Sequence, residues 1–186
     1  MSADSRLQEQ VPPIEIMRLA NELVGELSQE IYLEDRGNLL IRLEPANLVK
    51  LVIALRDDPR LSYRYLVYIT AIDYEDQMEA AYMLRSMKHG VPAELRAPVD
   101  REDPHLQSLS LLFSTACWHE RETYDLLGVR FDGHPELTRI LTGRKEEIFP
   151  LRKDARPHRQ PRDEWSHKGL AEALRLPGER DRNERS

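Results

Sequence analysis

The chain has 186 residues, 40% of them hydrophobic, which is enough for one packed core with an extension. Charged residues make up 32% and the formal net charge is −6, so there is no electrostatic reason to expect nucleic acid or an anionic membrane face as a partner. The single Cys117 excludes an internal disulfide framework, fits a reducing compartment, and excludes an iron–sulfur cluster held by this chain alone, since such clusters take about four thiolates.

The densest apolar run, Leu48 to Leu55, is far short of the roughly 20 residues that a transmembrane helix needs, so no direct span is expected. Met1 to Gln10 is polar and of mixed charge, without the basic and apolar regions of a secretory leader.

From Pro12 to about Gln29, Ile16, Leu19, Ala20, Leu23 and Leu27 recur at helical spacing, and the two prolines suit a helix start. Leu39 to Leu43 reads as a short strand after the turn-like Arg36-Gly37-Asn38. A second helix follows through Leu48, Leu51, Val52 and Leu55, ending at Asp57-Asp58-Pro59. Three β-rich runs come next, Tyr63 to Ile72, Glu79 to Met87 and Val91 to Val99, and their short connections imply antiparallel neighbours. Leu109, Leu112, Phe113 and Ala116 begin one helical stripe that runs on to Leu127, with Gly128 as the stop. Val129-Arg130-Phe131 reads as extended and Asp132-Gly133 as a turn. His134-Pro135 opens a predicted short helix carrying Leu137, Ile140 and Leu141.

Together these elements predict an α+β domain over residues 1–154: a small, mainly antiparallel sheet with helices packed on one face. Ten of the 27 basic residues but only seven of the 33 acidic ones fall after Leu151, so the end of the chain is basic in an acidic protein. With Pro157, Pro161 and Pro177 and few apolar residues, 155–186 reads as an extended tail, either disordered or laid along a partner.

The stripe that starts at Leu109 passes through Phe113 and Ala116 and then places Glu120 on the apolar face, before Thr123 and Leu127. An unpaired buried carboxylate costs several kcal/mol, so Glu120 is paired, reaches water, or meets another subunit. The ordinary reading of Glu120, Arg121, Glu122 and Asp125 is a surface salt-bridge network, with Arg121 and Asp125 as i, i+4 neighbours, and likewise Glu120 and Tyr124. Catalysis finds no support, because no nucleophile, oxyanion-hole loop or substrate-defining motif accompanies the carboxylates. His119-Glu120 begins like a zinc-protease helix, but position 123 is Thr123 where a second histidine is required, and the other histidines lack ligand spacing. Gly128, Gly133 and Gly143 do not form a phosphate-cradling run, and His134 reads as an N-cap or turn-stabilising group.

The run Glu120-Arg121-Glu122-Thr123-Tyr124-Asp125-Leu126-Leu127-Gly128-Val129-Arg130-Phe131-Asp132-Gly133-His134-Pro135 resembles the signature of the C-subunit family of respiratory complex I. The likeness continues through Leu137, Arg139-Ile140-Leu141-Thr142 and Pro150-Leu151-Arg152-Lys153-Asp154. Upstream it takes in Ile69-Thr70-Ala71-Ile72-Asp73-Tyr74 and Pro98-Val99-Asp100-Arg101-Glu102-Asp103-Pro104. It covers roughly Tyr63 to Asp154, and the same domain occurs in membrane-bound nickel–iron hydrogenases and related ferredoxin-linked complexes.

The resemblance implies a subunit without catalytic residues or a cofactor of its own, in the peripheral arm of proton-translocating NADH:quinone oxidoreductase. The parent complex would carry FMN and iron–sulfur clusters and use NADH and quinone. The implied partners are the large quinone-site subunit and neighbouring iron–sulfur subunits, on the cytoplasmic side of a bacterial or archaeal membrane or its organelle equivalent. On this reading Glu120, Arg121, Glu122, Tyr124, Asp125, Gly128, Phe131, Gly133, His134, Pro135, Arg152, Lys153 and Asp154 form a structural and interface network. The equivalent subunit of an energy-converting hydrogenase is the alternative.

Overall fold

Pro12 caps the first helix and Pro13 opens it, where a missing amide costs nothing because first-turn N–H groups lack helical partners. The computed structural model describes residues 11–74, 76–143 and 148–155. In it α1 spans Pro13–Val24 and buries Ile16, Ala20 and Val24. The helical pattern does not reach Gln29: a single 3-10 turn, Gly25–Leu27, ends it, and an unexpected strand β1, Glu30–Leu33, follows. β1 lies at a sheet edge with its residues exposed or half-buried, so its sequence carries no apolar alternation.

β2 spans Leu39–Arg42, and α2, Leu48–Asp57, follows a 3-10 turn over Pro45–Asn47. β3, Tyr65–Asp73, β4, Met78–Arg85, and β5, Pro92–Val99, form the predicted meander. The sheet order is β1-β2-β5-β4-β3, antiparallel throughout except for the parallel pair β2–β5.

Register puts Leu39, Ala93 and Leu84 in one row across the sheet and Ile41, Leu95, Tyr82 and Ile69 in the next. All are buried in one core shared with α1, α2 and the third helix, each large side chain contributing about 1.5–3 kcal/mol. The other face is polar. Arg42 lies opposite Arg96, a repulsive pairing that Glu79 relieves at 3.2 Å from each guanidinium, while Glu94 holds Arg96 at 2.6 Å.

β6, His105–Gln107, and β7, Arg130–Asp132, form a separate parallel pair flanking α3, Ala116–Leu127. The helix does not begin at Leu109. Leu112 and Phe113 donate back to the Leu109 carbonyl at 2.9 Å in an isolated turn, which buries Leu109 and Phe113 and leaves Leu111 exposed. That turn imitates helical spacing for one step only. The predicted short helix after Pro135 does not form among the described residues, because the amides of Ile140, Leu141 and Thr142 converge on one side chain, Asp125.

Candidate docking site at the end of α3

Glu120 is fully buried on the inner face of α3. Among the described residues no cation forms a salt bridge with it. Instead it accepts the Ser108 hydroxyl and the Leu109 amide, each at 2.6 Å, and so fixes the turn before the helix. Burial pushes its carboxyl above the ordinary value, and the two donors only partly offset this.

Asp125, one and a half turns on, is also fully buried, and here donors surround the charge. Its Oδ2 accepts the amides of Ile140 at 2.8 Å, Leu141 at 2.6 Å and Thr142 at 3.0 Å. Its Oδ1 accepts Arg139 at 3.0 Å and the Thr142 hydroxyl. Burial alone would raise this carboxyl, but the Thr142 hydroxyl and the three amides outweigh it and hold the group well below the ordinary range. A carboxylate with every lone pair engaged is a poor proton acceptor and a strong clamp.

The rest of the helix end is built onto that clamp. Gly128 caps α3 at φ 82°, its amide bonding the Tyr124 carbonyl at 2.9 Å. A side chain at Gly128 would fall 2.7 Å from the Phe149 ring, so glycine is needed for space as well as for backbone conformation. Phe149 lies edge-on to Tyr124, with the guanidinium carbons of Arg139 and Arg152 at 4.8 and 5.1 Å from its ring centre. Arg152 also bonds the Leu127 carbonyl at 2.7 Å, satisfying a helix-end acceptor.

Arg121 and Asp125 do not pair as the i, i+4 spacing suggests. The Arg121 guanidinium bonds the Thr138 carbonyl at 3.1 Å and its hydroxyl at 2.8 Å, and lies over Trp118. His134 receives the Glu136 amide on Nδ1 and sits 3.1 Å from the Cys117 carbonyl through Nε2, a pattern that the neutral Nε2–H tautomer satisfies. It stabilises the turn that Gly133 opens, and Pro135 lies exposed within it. Phe131 is in the core. The Lys153 amide bonds Asp73 at 2.9 Å, while Asp73 takes Arg101 at 2.8 and 3.0 Å and Arg101 reaches Asp154 at 3.1 Å. Glu122 faces outward, with His119 at 4.0 Å.

Arg139, Thr142, Phe149, Asp73, Arg101 and Ser108 complete the network, and sequence spacing does not mark them as site residues. Their bonds join segments far apart in the chain, and no local pattern announces them. Among the described residues no cluster of three or more histidine, cysteine, aspartate or glutamate side chains could hold a metal, and no helix is long and apolar enough to cross a membrane.

The family described as "Respiratory-chain NADH dehydrogenase, 30 Kd subunit" matches residues 41–161. The chain is 37% identical over 149 residues to the NADH-quinone oxidoreductase C subunit of Streptomyces coelicolor, covering 73% of this chain and 59% of that protein. It is 39% identical over 134 residues to the C subunit of Salinispora arenicola, covering 70% and 54%. The chain thus spans somewhat over half the length of these relatives. The trypsin-resistant fragment of Nqo5 superposes with a TM-score of 0.57 at 26% identity, covering 67% of this chain and 99% of the fragment. A chain of an archaeal respiratory membrane complex, the membrane-bound sulfane sulfur reductase, shares the fold with a TM-score of 0.66 at 19% identity, covering 93% and 97%. The protein belongs to the family of the 30 kDa subunit of respiratory-chain NADH dehydrogenase, the C subunit of NADH-quinone oxidoreductase.

Proposed function

We propose that the chain is a non-catalytic subunit in the peripheral arm of a proton-translocating NADH:quinone oxidoreductase. It holds no cofactor and fixes the large quinone-site subunit against the neighbouring iron–sulfur subunits, on the cytoplasmic side of the membrane. FMN and iron–sulfur clusters belong to the rest of the complex. The observation that carries this reading is the saturation of Asp125: this buried carboxylate of the signature helix spends its side-chain bonding capacity on positioning residues 139–142. Rigid positioning is what a docking element needs, because electron transfer and quinone access require fixed distances between subunits.

Affinity capture of the full chain from native membranes tests the reading. Co-recovery of the large quinone-site subunit and an iron–sulfur subunit is expected. Recovery of nickel-binding subunits would move the chain to a hydrogenase, and a chain that purifies alone would overturn the proposal.

A further inference from the structure

On the polar face of the sheet, register sets Glu94 of β5 beside Met83 of β4, and Met83 beside Tyr68 of β3. With the turn between β1 and β2, which contributes Glu34, Asp35, Arg36 and Asn38, these side chains line a cavity of about 430 Å³. The turn is fixed by the Glu34 amide on the Asn38 carbonyl at 2.9 Å, with Gly37 at φ 80°. Glu94 is only 7% exposed. Its Oε1 accepts the Tyr68 hydroxyl at 3.3 Å and Arg96 at 2.6 Å, whereas its Oε2 has no partner among the described residues and is not sealed off. Burial raises the Tyr68 hydroxyl above its ordinary value, and the charges of Glu94 and Glu34 add to this, so both carboxylates bear on the same spot. Across this face Glu30, Glu34, Asp35, Glu79 and Glu94 stand against Arg36, Arg42 and Arg96, which leaves two negative charges uncompensated.

We propose that this cavity receives the guanidinium of an arginine carried by a partner subunit. A free oxygen on a buried carboxylate calls for a cation. Acceptors stand on two sides of the space, Glu94 on the sheet and Glu34 and Asp35 on the turn, and among the described residues neither turn carboxylate forms an ion pair. The five donors of a guanidinium fork can serve both sides, which the three donors of a compact ammonium serve poorly. Tyr68 and Met83 offer its flat face an aromatic and a thioether wall. A metal ion is not the occupant, since among the described residues no cluster of three or more histidine, cysteine, aspartate or glutamate side chains could hold one. Asp35 and Arg36 leave the mouth exposed on the turn, where a side chain borne on another protein's surface can enter. The inference rests on the reading of the chain as a subunit of a larger complex, and it adds a surface separate from the end of α3.

A photo-crosslinking residue at Arg36, in the complex purified from native membranes, is expected to capture one partner peptide that carries an arginine. Glu34→Gln combined with Asp35→Asn, both on the turn rather than in the core, should weaken retention of that partner about tenfold at low salt and less as salt rises. Glu94→Gln should do the same, with the urea midpoint reporting that the sheet survives. Changing the captured arginine to alanine should cost a similar factor and nothing further in the Glu34→Gln, Asp35→Asn background. A captured peptide without arginine, capture of the chain itself, or wild-type retention in the double variant would overturn the arginine site and leave the subunit reading standing. So would free arginine that shifts the Tyr68 resonances of the isolated chain while the crosslinker captures no peptide, since the site would then serve a small cation. Failure to recover any neighbour would overturn both.

Discussion

Asp125 and Glu120 share one helix and are equally sealed from solvent, yet their surroundings hold the proton in opposite senses. Asp125 is depressed in the folded state, so its contribution is present above the ordinary 3.8 and disappears as pH falls through the folded value. Glu120 is raised, so its contribution is complete below the ordinary 4.5 and is lost as pH rises through the folded value. Urea midpoints measured across pH should therefore show a loss of stability from 4.5 towards neutrality that Glu120→Gln removes. A variant that keeps the wild-type slope would show that another group is responsible. Asp125→Ala should cost about 3–5 kcal/mol at neutral pH, because it leaves the Arg139 charge and three amides without their acceptor. A cost below about 1 kcal/mol in urea denaturation would mean that the strap finds other partners. The sequence shows Glu120 on an apolar stripe, and burial followed from that position. It does not show Asp125 meeting Arg139, because that contact crosses a stretch with no periodic pattern, and i, i+4 arithmetic favours Arg121 instead.

At the scale of elements, Gly128 separates two effects that glycine usually combines. Gly90, with φ 71° and open space around it, needs glycine for its backbone conformation alone; Gly128 needs it also for the Phe149 ring. Gly90→Ala should cost about 1–2 kcal/mol. Gly128→Ala should cost clearly more, read as the difference in melting temperature, and equal losses would mean that Phe149 moves aside freely. The elements with a buried face and a regular period, α1, α2 and β3 to β5, are legible from sequence. β1 and β6 are not, since short edge strands lack alternation, and the turn at Leu109 deceives because a single helix-like turn satisfies the same spacing. The parallel pairing of β2 with β5 is also invisible locally, as it depends on which strand the meander brings back last.

For the whole molecule, the domain sequence is acidic and the 155–186 stretch basic, and nearly all of that stretch lies outside the described residues; we propose from charge alone that it is drawn to acidic partner surfaces. Removing the residues after Ala155 should reduce recovery of partner subunits in affinity capture, and the difference between full-length and truncated chains should shrink as salt rises. Equal recovery at low salt would rule this out.

The bond between the Lys153 amide and Asp73, with Arg101 and Asp154 beside it, joins strand β3 to a segment synthesised 80 residues later. A nascent chain on the ribosome can pair β3, β4 and β5 early, but α3 cannot acquire its lock until the 139–154 stretch has emerged. A chain that stops before residue 139 therefore contains all five strands of the sheet but lacks the donors and acceptors that finish the end of α3.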